Sequence, residues 1–185
     1  MRPGRATADR TRATTRGESL RDGEREWDVD YEPASAGAES GLDHFVRDLA
    51  LCLSVHRDRS PALVWPDGID AVVAEAGTEM PELTTALGAL LGSQVTSSSV
   101  ELPVGGHSEG NPARTDLVLV PVKGSCGGRV EPSPPGRGPA VLEHALELRL
   151  RVGEALYVPR GFVYTLDSVH TPCTLQVLAL HPSVW

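Results

Sequence analysis

The stretch GEALYVPRGFVYTLDS, residues 153–168, reads as a strand, a tight Pro-x-Gly corner and a return strand. Proline pre-sets the turn and glycine accepts the positive φ that such corners need. The return strand aims its third residue, Tyr164, toward the inside. Working outward, HALELRLRV (144–152) alternates cleanly, with Leu146, Leu148, Leu150 and Val152 on one face. Ala145, Glu147, Arg149 and Arg151 take the other. Upstream, TDLVLVPV (115–122) is apolar on both alternations, as expected of a strand buried on both faces. QVTSSSVELP (94–103) is rich in β-branched residues and stops at Pro103, and CTLQVLAL (173–180) supplies a last strand. EPSPPGRGP (131–139) is a loop, because proline cannot join a central ladder. Strands so closely spaced predict a small antiparallel barrel or jelly roll over residues 94–185.

A helical segment, residues 41–93, is expected to pack on that barrel. Leu42, Phe45, Val46, Leu49 and Leu53 recur at helical spacing. PALVW (61–65) reads as a short strand, followed by two short helices in GIDAVVAEAG and MPELTTALGALLG, the second ended by Gly92. Residues 1–40 read as a disordered tail. Their only large apolar side chains are Leu20, Trp27, Val29 and Tyr31, too few to offset the entropy of ordering.

Composition narrows the function classes. The 185 residues carry a net charge of −8, against a general phosphate-binding surface, so no nucleic-acid partner is expected. No apolar run reaches the roughly 18 residues of a membrane-spanning helix, and no membrane partner is expected. Cys52, Cys126 and Cys173 have no CxxC spacing, which fits a reducing compartment and a cytoplasmic location. The glycines around Cys126 in GSCGGR read as a turn, and Cys126 lacks the His/Asp arrangement of a nucleophile.

In VGGHSEG (104–110), His107 and Glu109 stand at i and i+2 directly after a strand. In extended chain they point to one side, so an imidazole and a carboxylate can meet one cation such as Fe(II), Mn(II) or Zn(II). His44 and His56, on or beside the first helix, read as surface side chains. His144 opens a strand and His181 precedes Pro182.

Gly153, Pro159 and Gly161 fall at the places of the second motif of the cupin superfamily, which this chain therefore resembles. LYVPRGF also resembles the matching stretch of JmjC-type oxygenases, particularly the ribosomal-protein hydroxylases. In that subfamily an HxD or HxE lies upstream at the mouth of the same barrel, where His107 and Glu109 stand, followed by a strand like DLVLVPVKG. The resemblance covers about residues 94–180. It implies a cupin-like double-stranded β-helix. By the same resemblance the function is that of a mononuclear Fe(II)- and 2-oxoglutarate-dependent hydroxylase acting on a small molecule, peptide or protein. The chain departs from the pattern at three places. Tyr164 stands where the family has its distal histidine ligand, and Ser168 where the cupin motif has Asn. Lys123 precedes Gly124, whereas the family places a co-substrate-binding lysine after that glycine.

Three readings of Tyr164 follow. A tyrosinate completes the metal site; or His170 supplies the third ligand; or Tyr164 fills the barrel, its hydroxyl bonded to His107 or Glu109, with no metal present. The cofactors that the resemblance implies are Fe(II) and 2-oxoglutarate, with another divalent metal or none as the alternatives. Lys123, Arg149 and Arg151 are the candidates for holding a carboxylate, the arginines only if their strand face lines the barrel. The rival to the oxygenase reading is a catalytically silent cupin that binds a ligand or serves as an accessory subunit. Both readings leave room for a homodimer.

Overall fold

The computed structural model describes residues 39–74, 80–133 and 145–182, all within the unit Ala36–Trp185. The expected tail up to residue 38, most of the Pro/Gly loop and His144 lie outside the described residues. Helix α1 (Gly41–His56) starts where Ser40 and Asp43 cap each other, each side chain reaching the other's backbone amide. It buries Phe45, Val46, Leu49 and Leu53. Strand β1 (Ala62–Val64) and helices α2 (Ile69–Ala74) and α3 (Pro81–Leu91) follow. Pro81 opens α3, and Gly92 ends it in the left-handed conformation at φ 60°.

The strands are β2 (Gln94–Leu102), β3 (Asn111–Pro112), β4 (Asp116–Pro132), β5 (Leu146–Arg151), β6 (Ala155–Val158) and β7 (Phe162–His181). They form one antiparallel sheet in the order β1-β6-β4-β7-β2, with β5 added to β4 and β3 to β7. β1 belongs to this sheet through β6, so the helical segment also contributes a strand.

Two cores lie on the two faces. Val118, Val120, Ala155, Tyr157, Leu178 and Leu180 meet the helices through Phe45, Leu49, Val72, Leu83 and Leu87. Leu117, Leu119, Leu156, Val158 and Leu175 turn the other way, into an inner core. That core is also filled by Cys126 and Val130, by Leu150, and by Phe162, Leu166, Val169 and Cys173. Leu119 is odd-numbered and Cys126 even-numbered, yet both face the inner core. The bulges between Pro121 and Gly127 reverse the alternation of β4. An extra stretch at Ser168–His170 does the same to β7: Phe162 and Leu166 precede it, Val169 and Cys173 follow it. The sheet therefore curls around its inner core, and the fold is mostly β and cupin-like with a short N-terminal helical segment.

Two readings are corrected. GSCGGR is strand within β4, not a turn. Its Gly124 takes φ 70°, and a Cβ there would lie 2.3 Å from the Pro172 carbonyl oxygen, so glycine serves a close crossing of β4 and β7. FVYTLDSV and CTLQVLAL, expected as separate strands, are one strand interrupted by its bulge.

Candidate functional site

The corner read from the sequence is present. Gly161 has φ 88°, and the Phe162 amide donates to the Pro159 carbonyl at 3.2 Å, closing a four-residue turn. It delivers β7, on which Tyr164 pairs with Asn111 of β3 and with Val130 of β4. The loop bearing His107 and Glu109 runs beside this strand. Ser108 donates its amide to the Leu166 carbonyl at 2.8 Å, and its hydroxyl accepts from the Leu166 amide at 3.0 Å. The topology thus brings the HxE loop and the Tyr164 strand to one place.

The side chains there do not make the implied donor set. His107 and Glu109 are both exposed, and neither has a hydrogen-bond partner among the described residues. Tyr164 is half-buried against the inner core, with no hydrogen bond to His107 or Glu109. Burial pushes its phenol above the ordinary tyrosine value. His170 is exposed in the bulge of β7. Among the described residues no three His, Cys, Asp or Glu side chains gather into a metal-holding group. The residues present therefore do not fit the iron centre that the resemblance implies.

The co-substrate candidates face outward. Lys123 is exposed, and Arg149 and Arg151 project from β5 away from Leu148 and Leu150. They do not line the barrel, because the alternation of β5 gives the interior to its leucines. Cys126 is fully buried beside Cys173, and burial pushes its thiol up to about 12, a setting for an inert side chain.

Sequence reasoning passed over one polar cluster. Asp116, 7% exposed at the start of β4, accepts from the Tyr157 hydroxyl at 3.2 Å and the Arg160 amide at 2.9 Å. Arg57 Nε lies 3.3 Å from its second oxygen, and the Asp58 amide donates to the Tyr157 hydroxyl at 3.3 Å. An acid opening an apolar run was the available signal. The cluster ties the end of α1 to the sheet, and its groups satisfy one another.

No family model and no curated protein sequence matches this chain. Its fold is similar to that of YcfD, a ribosomal oxygenase from Escherichia coli. The TM-score is 0.48 at 13% identity over 74% of this chain and 51% of that one. RmlC from Streptococcus suis scores 0.41 at 14% identity, covering 62% and 54%. The Drosophila melanogaster CENP-C cupin domain scores 0.38 at 14% identity, covering 46% and 63%. The chain spans about half the length of the first two, and at such identities the likeness is one of fold alone. Among the described residues no helix is long and apolar enough to cross a membrane.

Proposed function

We propose that this protein is a cupin-like domain that works by binding, as a ligand-binding or accessory protein, and not by iron oxygen chemistry. Tyr164 carries the reading. At the position of the third ligand stands a phenol packed on the inner core that makes no hydrogen bond to His107 or Glu109, both of which are exposed to solvent.

The fastening of Ser108 to Leu166 favours a second reading, a divalent-metal oxygenase with a changed third ligand, since it keeps the HxE loop beside Tyr164. Metal content after purification without chelators separates the two. The first reading expects substoichiometric iron that His107→Ala leaves unchanged. Stoichiometric iron lost in His107→Ala would overturn it.

A further inference from the structure

A strand at the margin of a sheet offers unpaired amide and carbonyl groups to other strands. Sheets blunt such margins with brevity, proline, charge or a bulge. Among the described residues four strands have an open side: β1, β2, β3 and β5. Three of them are blunted. β1 is three residues long and lies between Pro61 and Pro66. β3 has two residues, of which one is Pro112. β5 has six and turns Glu147, Arg149 and Arg151 to solvent, with the Arg151 amide donating to Glu154 Oε2 at 2.9 Å.

β2 carries none of these devices. Its nine residues, QVTSSSVEL, include no proline, lysine or arginine and a single acid, Glu101. Its register with β7 runs unbroken from Gln94 opposite His181 to Leu102 opposite Cys173, so no bulge turns the edge away. Alternate residues therefore direct their N–H and C=O groups outward along the whole strand. Among the described residues no strand pairs with that side and no other backbone group bonds to it. The side chains at its middle, Ser97, Ser98 and Ser99, are too small to cover the backbone.

We propose that β2 pairs antiparallel with β2 of a second copy of this chain, across a two-fold axis at Ser98. That register uses all nine residues. It sets Ser97 opposite Ser99, Thr96 opposite Val100 and Val95 opposite Glu101, so hydroxyls meet at the centre and no like charges face each other. Charge favours the same register. Val95 packs on the helix-side core, and by alternation Glu101 lies on that face too. Glu101 is exposed, with no ion-pair partner among the described residues of its own chain. Arg57 meets Asp116 through Nε and reaches the margin of β2 with Nη2, which donates to the Ser93 hydroxyl at 3.4 Å. Opposite Val95, the Glu101 of one copy is the diagonal neighbour of Ser93 in the other, and so comes beside Arg57 there. The two-fold repeats this contact. Such a pairing consumes both open edges and closes at two copies. β2 shares no residue with the HxE loop, so the proposal stands or falls independently of the function proposed above.

Sedimentation equilibrium of the full chain tests it. A monomer–dimer equilibrium is expected, with nothing larger. Ser98→Lys sets two like charges on the axis and should weaken the dimer tenfold or more, and Glu101→Lys should weaken it in the same direction. Cysteine pairing reads the register. Residues directly opposite lie about 4.5–5.5 Å apart at Cα, within the span of a disulfide. Under diamide, Ser98→Cys should form a covalent dimer faster than Ser97→Cys or Ser99→Cys alone, and a mixture of the last two should outpace either. The wild type and the cysteine variants answer even if a lysine variant misfolds. A monomer up to the solubility limit or open-ended assembly overturns the proposal. So does an equilibrium indifferent to both lysine variants in folded protein, or equal cross-linking at all three positions.

Discussion

Ser108 and Leu166 are joined twice: the amide of Ser108 reaches the Leu166 carbonyl, and the amide of Leu166 reaches the Ser108 hydroxyl. One residue thus fastens the HxE loop to β7 twice, beside the Gly105 amide that donates to the Val169 carbonyl. Ser108→Ala keeps the first bond and strips the buried Leu166 of its acceptor. A loss of about 1–2 kcal/mol is expected. Hydrogen exchange should quicken at the Leu166 amide, and unchanged exchange there would contradict the assignment.

Tyr164 offers a sharper contrast. Because its hydroxyl makes no hydrogen bond among the described residues, Tyr164→Phe should change stability by less than about 1 kcal/mol. Tyr164→Ala, which empties part of the inner core, should cost about 2–4 kcal/mol. Chemical denaturation of the pair decides. A large penalty for phenylalanine alone would mean that the hydroxyl has a partner and that Tyr164 is more than packing.

The Asp116 cluster should behave as a unit. Removing the carboxylate leaves Arg57 and the Tyr157 hydroxyl without their acceptor, so Asp116→Ala should cost about 3–5 kcal/mol. Tyr157→Phe removes two longer bonds, the one given to Asp116 and the one accepted from the Asp58 amide, and should cost about 1–2 kcal/mol. In the double variant the two costs should not add, since the lost bond is shared. Additive costs would show that Tyr157 and Asp116 act separately.

Alkaline pH should destabilise the fold. Burial raises the thiols of Cys52, Cys126 and Cys173 and the phenols of Tyr157 and Tyr164 above their ordinary values. In the unfolded chain thiols ionise near pH 8.5 and phenols near pH 10, roughly. Above those values the unfolded state releases protons that the folded state retains, so stability falls as pH rises. The stabilisation is fully present below about pH 8.5. Urea midpoints should hold from pH 7.5 to about 8.5 and then decline to about pH 10.5, and Cys126→Ala should flatten the early part of that decline. Constant midpoints across the range would refute the assignment.

Much of the architecture was legible because the relevant signals are local. The stripe of Phe45, Leu49 and Leu53 gives α1, the leucines of β5 give its inward face, and Pro159 with Gly161 gives the corner before β7. The length of β4 was not legible. The glycines of GSCGGR give it a turn-like composition, but Gly124 admits the Pro172 carbonyl and Gly127 the Asp167 carboxylate, both distant in sequence. The candidate site was legible as a place and not as a chemistry. Spacing put His107 and Glu109 on one side, and the resemblance put Tyr164 near them; neither foretells that Ser108 makes the anchoring bonds while its two neighbours stay exposed.

Leu119 and Val120 are adjacent in β4, and each belongs to a different core. The same holds along β7, where Val177 and Leu178 part company. Neither core owns a strand of its own in the middle of the sheet, so melting one strips backbone support from the other. Unfolding should therefore run as a single cooperative transition, although the protein has two hydrophobic centres. Assembly carries the matching cost. β2 meets its neighbour only when Gln94 finds His181 near the far end of the sequence. With so many contacts between remote segments, folding belongs to the slow, high-contact-order regime.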